Sequence, residues 1–337
     1  MTRILFLVSL CLAFLSSCTG YEPEHEATEN GIVVTDIRGK EVRLKEPAQR
    51  VVVLYQGALD GMYMLHAEHT LVGIQNNIYT NPSTLKYFSK LDPRIARKEL
   101  PAPGNWETST NIESVVALKP DLVIMASNQT DAIGLLENLG IKVFAVEAQT
   151  NQQLYDELEA IGKLTGTHER ALELLAYTRR KLEEIQQKTE DIMPKKSVYY
   201  AWSGGRIYST SGQNSRMNEC FELAGVRNAC TFELDQPNIN PETLISWDPD
   251  LILLWSTDPQ DVYNKKELSV LKAVKNKEVY VLDPPFFYDP HTLKIMVAAL
   301  ELHNLSYGES GSFDLEENRR EIMASLYGEA KASALFE

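Results

Sequence analysis

One feature constrains this chain more than any other: a unit of fifteen residues is written twice. Asn111-Ile-Glu113-Ser-Val-Val-Ala-Leu-Lys-Pro120-Asp121-Leu-Val-Ile-Met125 runs in register, without a gap, against Asn240-Pro-Glu242-Thr-Leu-Ile-Ser-Trp-Asp-Pro249-Asp250-Leu-Ile-Leu-Leu254. Asn, Glu, Pro, Asp and Leu coincide, and an apolar run follows each Pro-Asp. Asn111 and Asn240 suit helix N-caps. Glu113 and Glu242 then fall in a first turn, where the helix dipole favours an anion, and Pro241 suits the first helical position. The apolar run after each Pro-Asp reads as a strand buried on both faces. Two copies of a helix–turn–strand unit predict two similar lobes, and two lobes predict a cleft between them.

The remaining pattern agrees. Gly31–Pro47 alternates apolar and polar residues around an Arg38-Gly39-Lys40 tip, which predicts a hairpin. Val51–Tyr55 and Thr70–Ile74 read as strands, Ala58–His66 as a helix, and 76–103 as polar loop with Pro82, Pro93, Pro101 and Pro103 as breakers. Strands alternating with helices predict mostly parallel, helix-covered sheets and an α/β class. The stretch 167–192 differs, because apolar residues at Ala171, Leu174, Leu175, Leu182 and Ile185 keep helical spacing with no Gly or Pro. About 26 residues at about 1.5 Å each make a helix of about 39 Å, long enough to strut two lobes. The expected organisation is an N-terminal lobe at 31–166, a linking helix at 167–193 and a C-terminal lobe at 194–337.

The first seventeen residues read as a signal peptide. Arg3 precedes the apolar run Ile4–Leu15, which is too short to span a bilayer. The run ends in Leu15-Ser16-Ser17-Cys18, which resembles a bacterial lipobox, so Cys18 is the expected lipidation site; the alternative is an ordinary secretory signal with Cys18 incidental. Residues 18–30 carry Glu22, Glu24, Glu26 and Glu29 and read as an acidic tether. The net charge is −14. An acidic chain without basic blocks argues against nucleic acid as a partner. Cys220 and Cys230 either pair in an oxidising envelope or pack as separate buried thiols.

The opening "VTDIRGKEVRLKEPAQRVVVL", the doubled "NxE…PDL" unit and the "GIKVFAV" ahead of a long helix resemble the class III substrate-binding proteins of ABC importers. That resemblance covers nearly all of residues 31–307. It implies two α/β lobes joined by one rigid helix, with a ligand cleft between them and no catalytic activity. It implies a cell-envelope location, a lipid anchor and delivery to a permease dimer with its ATPase. Glu113 and Glu242 match the family's acidic positions that meet the permease. The implied ligand is an iron–siderophore or related metal chelate, with cobalamin, haem and oxyanions such as molybdate as alternatives; no resident cofactor is implied.

Ligands of open α/β sheets sit beyond the carboxyl ends of the strands. The residues that follow predicted strands are Tyr55 and Gln56, Ser127, Trp202, Arg206, Trp255, and the run Phe286-Phe287-Tyr288 with His291 nearby. Trp106 lies in a Gly/Pro loop just before the first repeat, at a position where family members often face the ligand. This set is aromatic with few charges, and flat faces suit a macrocycle or catechol rings. Arg206 and Arg216 are the cations for an anionic chelate; the competing reading is a surface salt bridge for each. Tyr55, Tyr79, Tyr288 and His291 are the side chains able to coordinate iron directly, though no local metal cluster supports it.

No GxSxG, P-loop or HExxH signature is present. Two other classes remain as expectations to discriminate: a chelatase-like enzyme of comparable two-lobed build, and a surface adhesin that captures chelates without a permease.

Overall fold

The computed structural model describes residues 31–104, 110–202, 205–282, 285–308 and 313–337. Strands β1 (Ile32–Thr35) and β2 (Glu41–Leu44) form the antiparallel hairpin. Strands β3 (Val51–Val53), β4 (Leu71–Ile74), β5 (Leu122–Ala126) and β6 (Val143–Val146) form a parallel sheet in the order β4-β3-β5-β6. Strands β7 (Ser197–Ala201), β8 (Arg227–Asn228), β9 (Leu251–Trp255) and β10 (Val279–Leu282) form a second, in the order β10-β9-β7-β8. Numbered within its own lobe, each sheet has the order 2-1-3-4. The expected architecture of two α/β lobes is present, and the two lobes share one topology.

The doubled unit does the same structural work in both. Its strands, β5 and β9, take equivalent third places. Asn111 Oδ1 caps one short helix by accepting from the Ser114 N–H at 2.9 Å, and Asn240 Oδ1 caps the other through the Thr243 N–H at 2.8 Å. Asp121 accepts from the backbone N–H groups of Gln49 at 2.8 Å and Arg50 at 3.0 Å, just ahead of β3. Asp250 accepts from the Ser197 N–H at 2.7 Å and hydroxyl at 2.8 Å, at the start of β7. Each aspartate therefore staples the repeat strand to the first strand of its sheet and fixes their register. Glu113 and Glu242 stand exposed on the first turns of the paired helices.

The linking helix is His168–Thr189, 22 residues, or about 33 Å at about 1.5 Å per residue. It is shorter than the sequence implies. At its N-terminal end the preceding helix, Asn151–Thr165, closes on Gly166 in the left-handed conformation (φ 77°). A Cβ at Gly162 would fall 2.8 Å from the Ala171 Cβ, so the close approach of these two helices requires glycine there.

One expectation needs correction, and one pair of alternatives is decided. Residues 76–103 are not loop: they contain helices Asn77–Thr80, Pro82–Leu91 and Pro93–Ala96. Pro82 and Pro93 open helices instead of breaking them, because proline's missing N–H is no loss at the first helical position. Asn81 and Asp92 cap them through the N–H groups of Ser83 and Arg94. Cys220 and Cys230 are not bonded; both are buried free thiols. Cys220 packs in the main apolar core with Met217 and Phe221, and burial pushes its thiol up to about 12. Both behave as small apolar residues.

The last two helices, Leu315–Tyr327 and Glu329–Phe336, belong to the 194–337 stretch but cover helices of the first lobe. A buried ring of polar groups holds them there. Lys294 Nζ lies 2.6 Å from Asp60 Oδ2, with side chains only 1% and 2% exposed. The Tyr327 hydroxyl donates to Asp60 Oδ1 at 2.7 Å, the Tyr87 and Tyr327 hydroxyls are 2.8 Å apart, and Lys294 donates to the Tyr87 hydroxyl at 3.1 Å. Lys294 sits in the second half of the chain and Asp60 in the first, so the ring pins the lobes together. Among the described residues, no helix is long and apolar enough to cross a membrane.

Candidate functional site

The carboxyl ends of both sheets converge on one set of side chains. From the first lobe, Tyr55 follows β3, Ser127 follows β5 and Glu147 follows β6. The Ser127 hydroxyl bonds the Glu147 carboxylate, and the Glu147 N–H donates to Glu157 Oε1 at 2.7 Å. Glu157 projects from the Asn151–Thr165 helix and is 8% exposed. Burial pushes its carboxyl up to about 7, against the pull of backbone N–H donors and Arg216. Burial also pushes the Tyr55 hydroxyl up to about 12, reinforced by the carboxylates of Glu157, Asp289 and Glu147 and opposed by Arg216.

From the second lobe come Trp202, Arg216, Asp289 and His291. Trp202 follows β7 and is half-buried; its indole N–H donates to the Thr210 carbonyl at 3.0 Å, which fixes the ring. The His291 ring lies 6.2 Å from it, centroid to centroid. The Asp289 carboxylate accepts from the His291 N–H at 2.9 Å and lies 3.2 Å from Nδ1.

Arg216 is the decisive residue. It opens the Arg216–Leu223 helix, whose N-cap is Ser215. It is 3% exposed, so a surface salt bridge is excluded. Its Nη2 donates to Asn151 Oδ1 of the first lobe at 2.9 Å and to the Pro290 carbonyl at 3.0 Å. Its Nε and Nη1 are buried without a hydrogen-bond partner among the described residues. Burial lowers its pKa, although a guanidinium remains charged throughout the physiological range. Two orphaned charged donors are costly, and an incoming anion would satisfy them.

The other expected site residues divide. Gln56 is half-buried at the start of the Gln56–Met64 helix, and Trp255 is half-buried at the end of β9. Arg206 is exposed, with its guanidinium 6.0 Å from the Trp202 ring. Phe287 and Tyr288 do not form an open cleft wall. They are 5% and 6% exposed; Phe287 packs edge-on against Phe336 of the final helix, and Arg319 lies over the Tyr288 ring. The returning C-terminal helices bury them. Trp106, Cys18 and the Phe286 side chain lie outside the described residues. Tyr79 is tied to the Leu100 carbonyl at 2.9 Å. Among the described residues no group of three metal-ligating side chains occurs.

Sequence reasoning missed Glu157, Glu147 and Asn151. Glu157 had a signal: it falls on the apolar stripe formed by Leu154, Leu158 and Ile161, where a carboxylate is out of place.

The chain as a whole is similar to known proteins. Residues 51–286 match the periplasmic binding protein family. An uncharacterised ABC transporter substrate-binding lipoprotein of Bacillus subtilis, YvrC, is 27% identical over 75% of this chain and 78% of its own length. The iron(3+)-hydroxamate-binding protein FhuD of Bacillus subtilis is 25% identical over 86% of this chain and 93% of its own. Among solved structures, the molybdate-bound MolA of Haemophilus influenzae superposes with a TM-score of 0.77 at 20% identity, covering 88% of this chain and 97% of that one. With a family match across both sheets and a buried arginine set between lobes of one topology, this chain belongs to the periplasmic binding protein family.

Proposed function

We propose that the protein is the substrate-binding component of an ABC importer, and that it captures an iron–siderophore or related metal chelate and hands it to a permease. Arg216 carries this reading. A guanidinium that bridges both lobes, buried with two unpaired N–H donors, is a preformed half of an anion site. Tyr55, Trp202 and His291 stand around it with the flat faces that a chelate's rings or hydroxamates would meet. The similarity to an iron(3+)-hydroxamate-binding protein over most of both chains supports the chelate as cargo. A second reading, a small oxyanion, draws on the molybdate-bound structural neighbour and on the same arginine.

Capture, not catalysis, is the mechanism. The ligand satisfies Arg216 and is held by groups from both lobes. The exposed Glu113 and Glu242 sit at equivalent places on the two lobes, and a paired acidic surface suits steering to a basic permease. Acylation at Cys18 would keep the protein at the membrane, which places it in the cell envelope.

The test is a tryptophan-fluorescence titration of the protein lacking residues 1–18 against ferric hydroxamate, ferric catecholate, cobalamin, haem and molybdate. Saturable quenching by a ferric chelate supports the first reading. A response to molybdate alone supports the second. Porphyrin metallation by the purified protein would overturn both in favour of a chelatase.

A further inference from the structure

The cleft carries more negative charge than an anion-binding site needs. Glu147 and Glu157 face it from the first lobe and Asp289 from the second, against Arg216 and His291. Two of these carboxylates have local partners: Glu147 has the Ser127 hydroxyl, and Asp289 has His291. Glu157 has only backbone donors at the end of β6, and no cation lies within salt-bridge distance of it among the described residues. Arg216, the cation that acts on it, lies beyond ion-pair contact and spends Nη2 on Asn151 and Pro290.

Glu157 is also one wall of a cavity of about 30 Å³, built mostly from the first lobe and closed by His291 of the second. The cavity lies between the Gln56–Met64 and Asn151–Thr165 helices, with Tyr55 and His291 on its lining. Small residues at Gly57, Ala58 and Gly61 leave the space open. A Cβ at Gly61 would come within 3.2 Å of Leu158 Cδ1, and one at Gly57 within 3.2 Å of the Tyr55 ring. The volume holds one small group and excludes an aryl ring. Its other walls, Leu154, Leu158 and Ile161, are apolar. An ionised carboxylate on such a wall is costly without a cation in direct contact, and the described residues supply none at that distance.

Building on the chelate-binding reading, we propose that this cavity receives a protonated amine of the cargo, with Glu157 as its counter-ion and the Tyr55 ring beside it. The protein is then selective for chelates of mixed charge: an oxygen-rich, anionic face meets Arg216, while an ammonium arm enters the side pocket. Burial that holds the empty-state Glu157 carboxyl near neutrality accords with this, because an arriving ammonium would restore the carboxylate. The aromatic neighbour adds a cation–π contribution.

Calorimetric titration of the purified protein with two probes tests this. One is iron(III) ferrioxamine B, a linear trihydroxamate ending in a primary ammonium; the other is its N-acetylated form. The ammonium form is expected to bind at least about tenfold more tightly. Glu157→Gln keeps the acceptor for the Glu147 N–H, so the fold is retained, and it should bring the two affinities together by weakening only the ammonium form. Equal affinity of the wild-type protein for both forms would overturn the side-pocket assignment while leaving chelate capture standing. Failure of both forms to bind, with molybdate bound instead, would overturn the chelate reading and the pocket together.

Discussion

Replacing Lys294 by methionine tests the pin between the lobes. The hydrocarbon volume is largely kept, so little cavity forms. What is lost is the partner of a carboxylate only 2% exposed, at 2.6 Å, and the donor to the Tyr87 hydroxyl. Removing one member of a buried pair costs roughly 3–5 kcal/mol. The sign of the pH dependence follows from Asp60. Burial raises its pKa, while Lys294 and Tyr327 pull it down. Without Lys294 the folded-state pKa rises further above its unfolded value. Such a group contributes stability below the unfolded pKa and loses it as pH rises through the folded pKa. The penalty of Lys294→Met should therefore be full at pH 8 and shrink toward pH 5, as Asp60 takes up a proton. Urea unfolding at both pH values reads it directly. Asp60→Asn combined with Lys294→Met should recover most of the loss at pH 8. A penalty below about 1 kcal/mol at pH 8, or one that grows on acidification, would refute the reasoning.

Three further outcomes follow from the same geometry. Glu157, raised to about 7 by burial, lowers the stability of the empty protein as pH rises from about 5 to 8; Glu157→Gln should gain on the wild type over that interval, by up to about 3 kcal/mol, measured by urea midpoints without ligand. Reversing both exposed acids, Glu113→Arg with Glu242→Arg, should abolish cellular uptake and leave ligand affinity unchanged; loss of affinity in the purified double variant would contradict a docking role. Cys220 and Cys230 should both react with a thiol reagent after unfolding without reductant and resist it in the native state, since both are buried and the Cys220 thiol is pushed up to about 12.

The architecture was legible because its signals are local. Asn111 and Asn240 cap, Asp121 and Asp250 staple, and the apolar runs after them form the repeat strands, all within a few residues of where the pattern is read. The misreading of 76–103 was also local. Pro82 and Pro93 read as breakers only apart from Asn81 and Asp92, the caps that turn a breaker into a helix start. The site was less legible because burial there depends on distant chain. Phe287 and Tyr288 follow a strand, as cleft residues do, yet helices beginning at Leu315 and Glu329 return to cover them. In sequence Arg216 is one of two candidate cations, and nothing there separates it from Arg206, which is exposed. Only the meeting of Asn151 and Pro290 around it, from opposite lobes, leaves two of its donors unpaired.

The most direct test of the account is the affinity of the wild-type protein and of Arg216→Met for the ferric chelate that quenches its fluorescence. Loss of a charged, desolvated donor pair should weaken binding by roughly tenfold to a hundredfold. Stability should change little, because removing two buried nitrogens that are unpaired in the empty protein offsets the loss of the Nη2 bonds to Asn151 and Pro290. Unchanged affinity in a folded Arg216→Met variant would contradict the claim that this buried arginine is the anchor for the cargo.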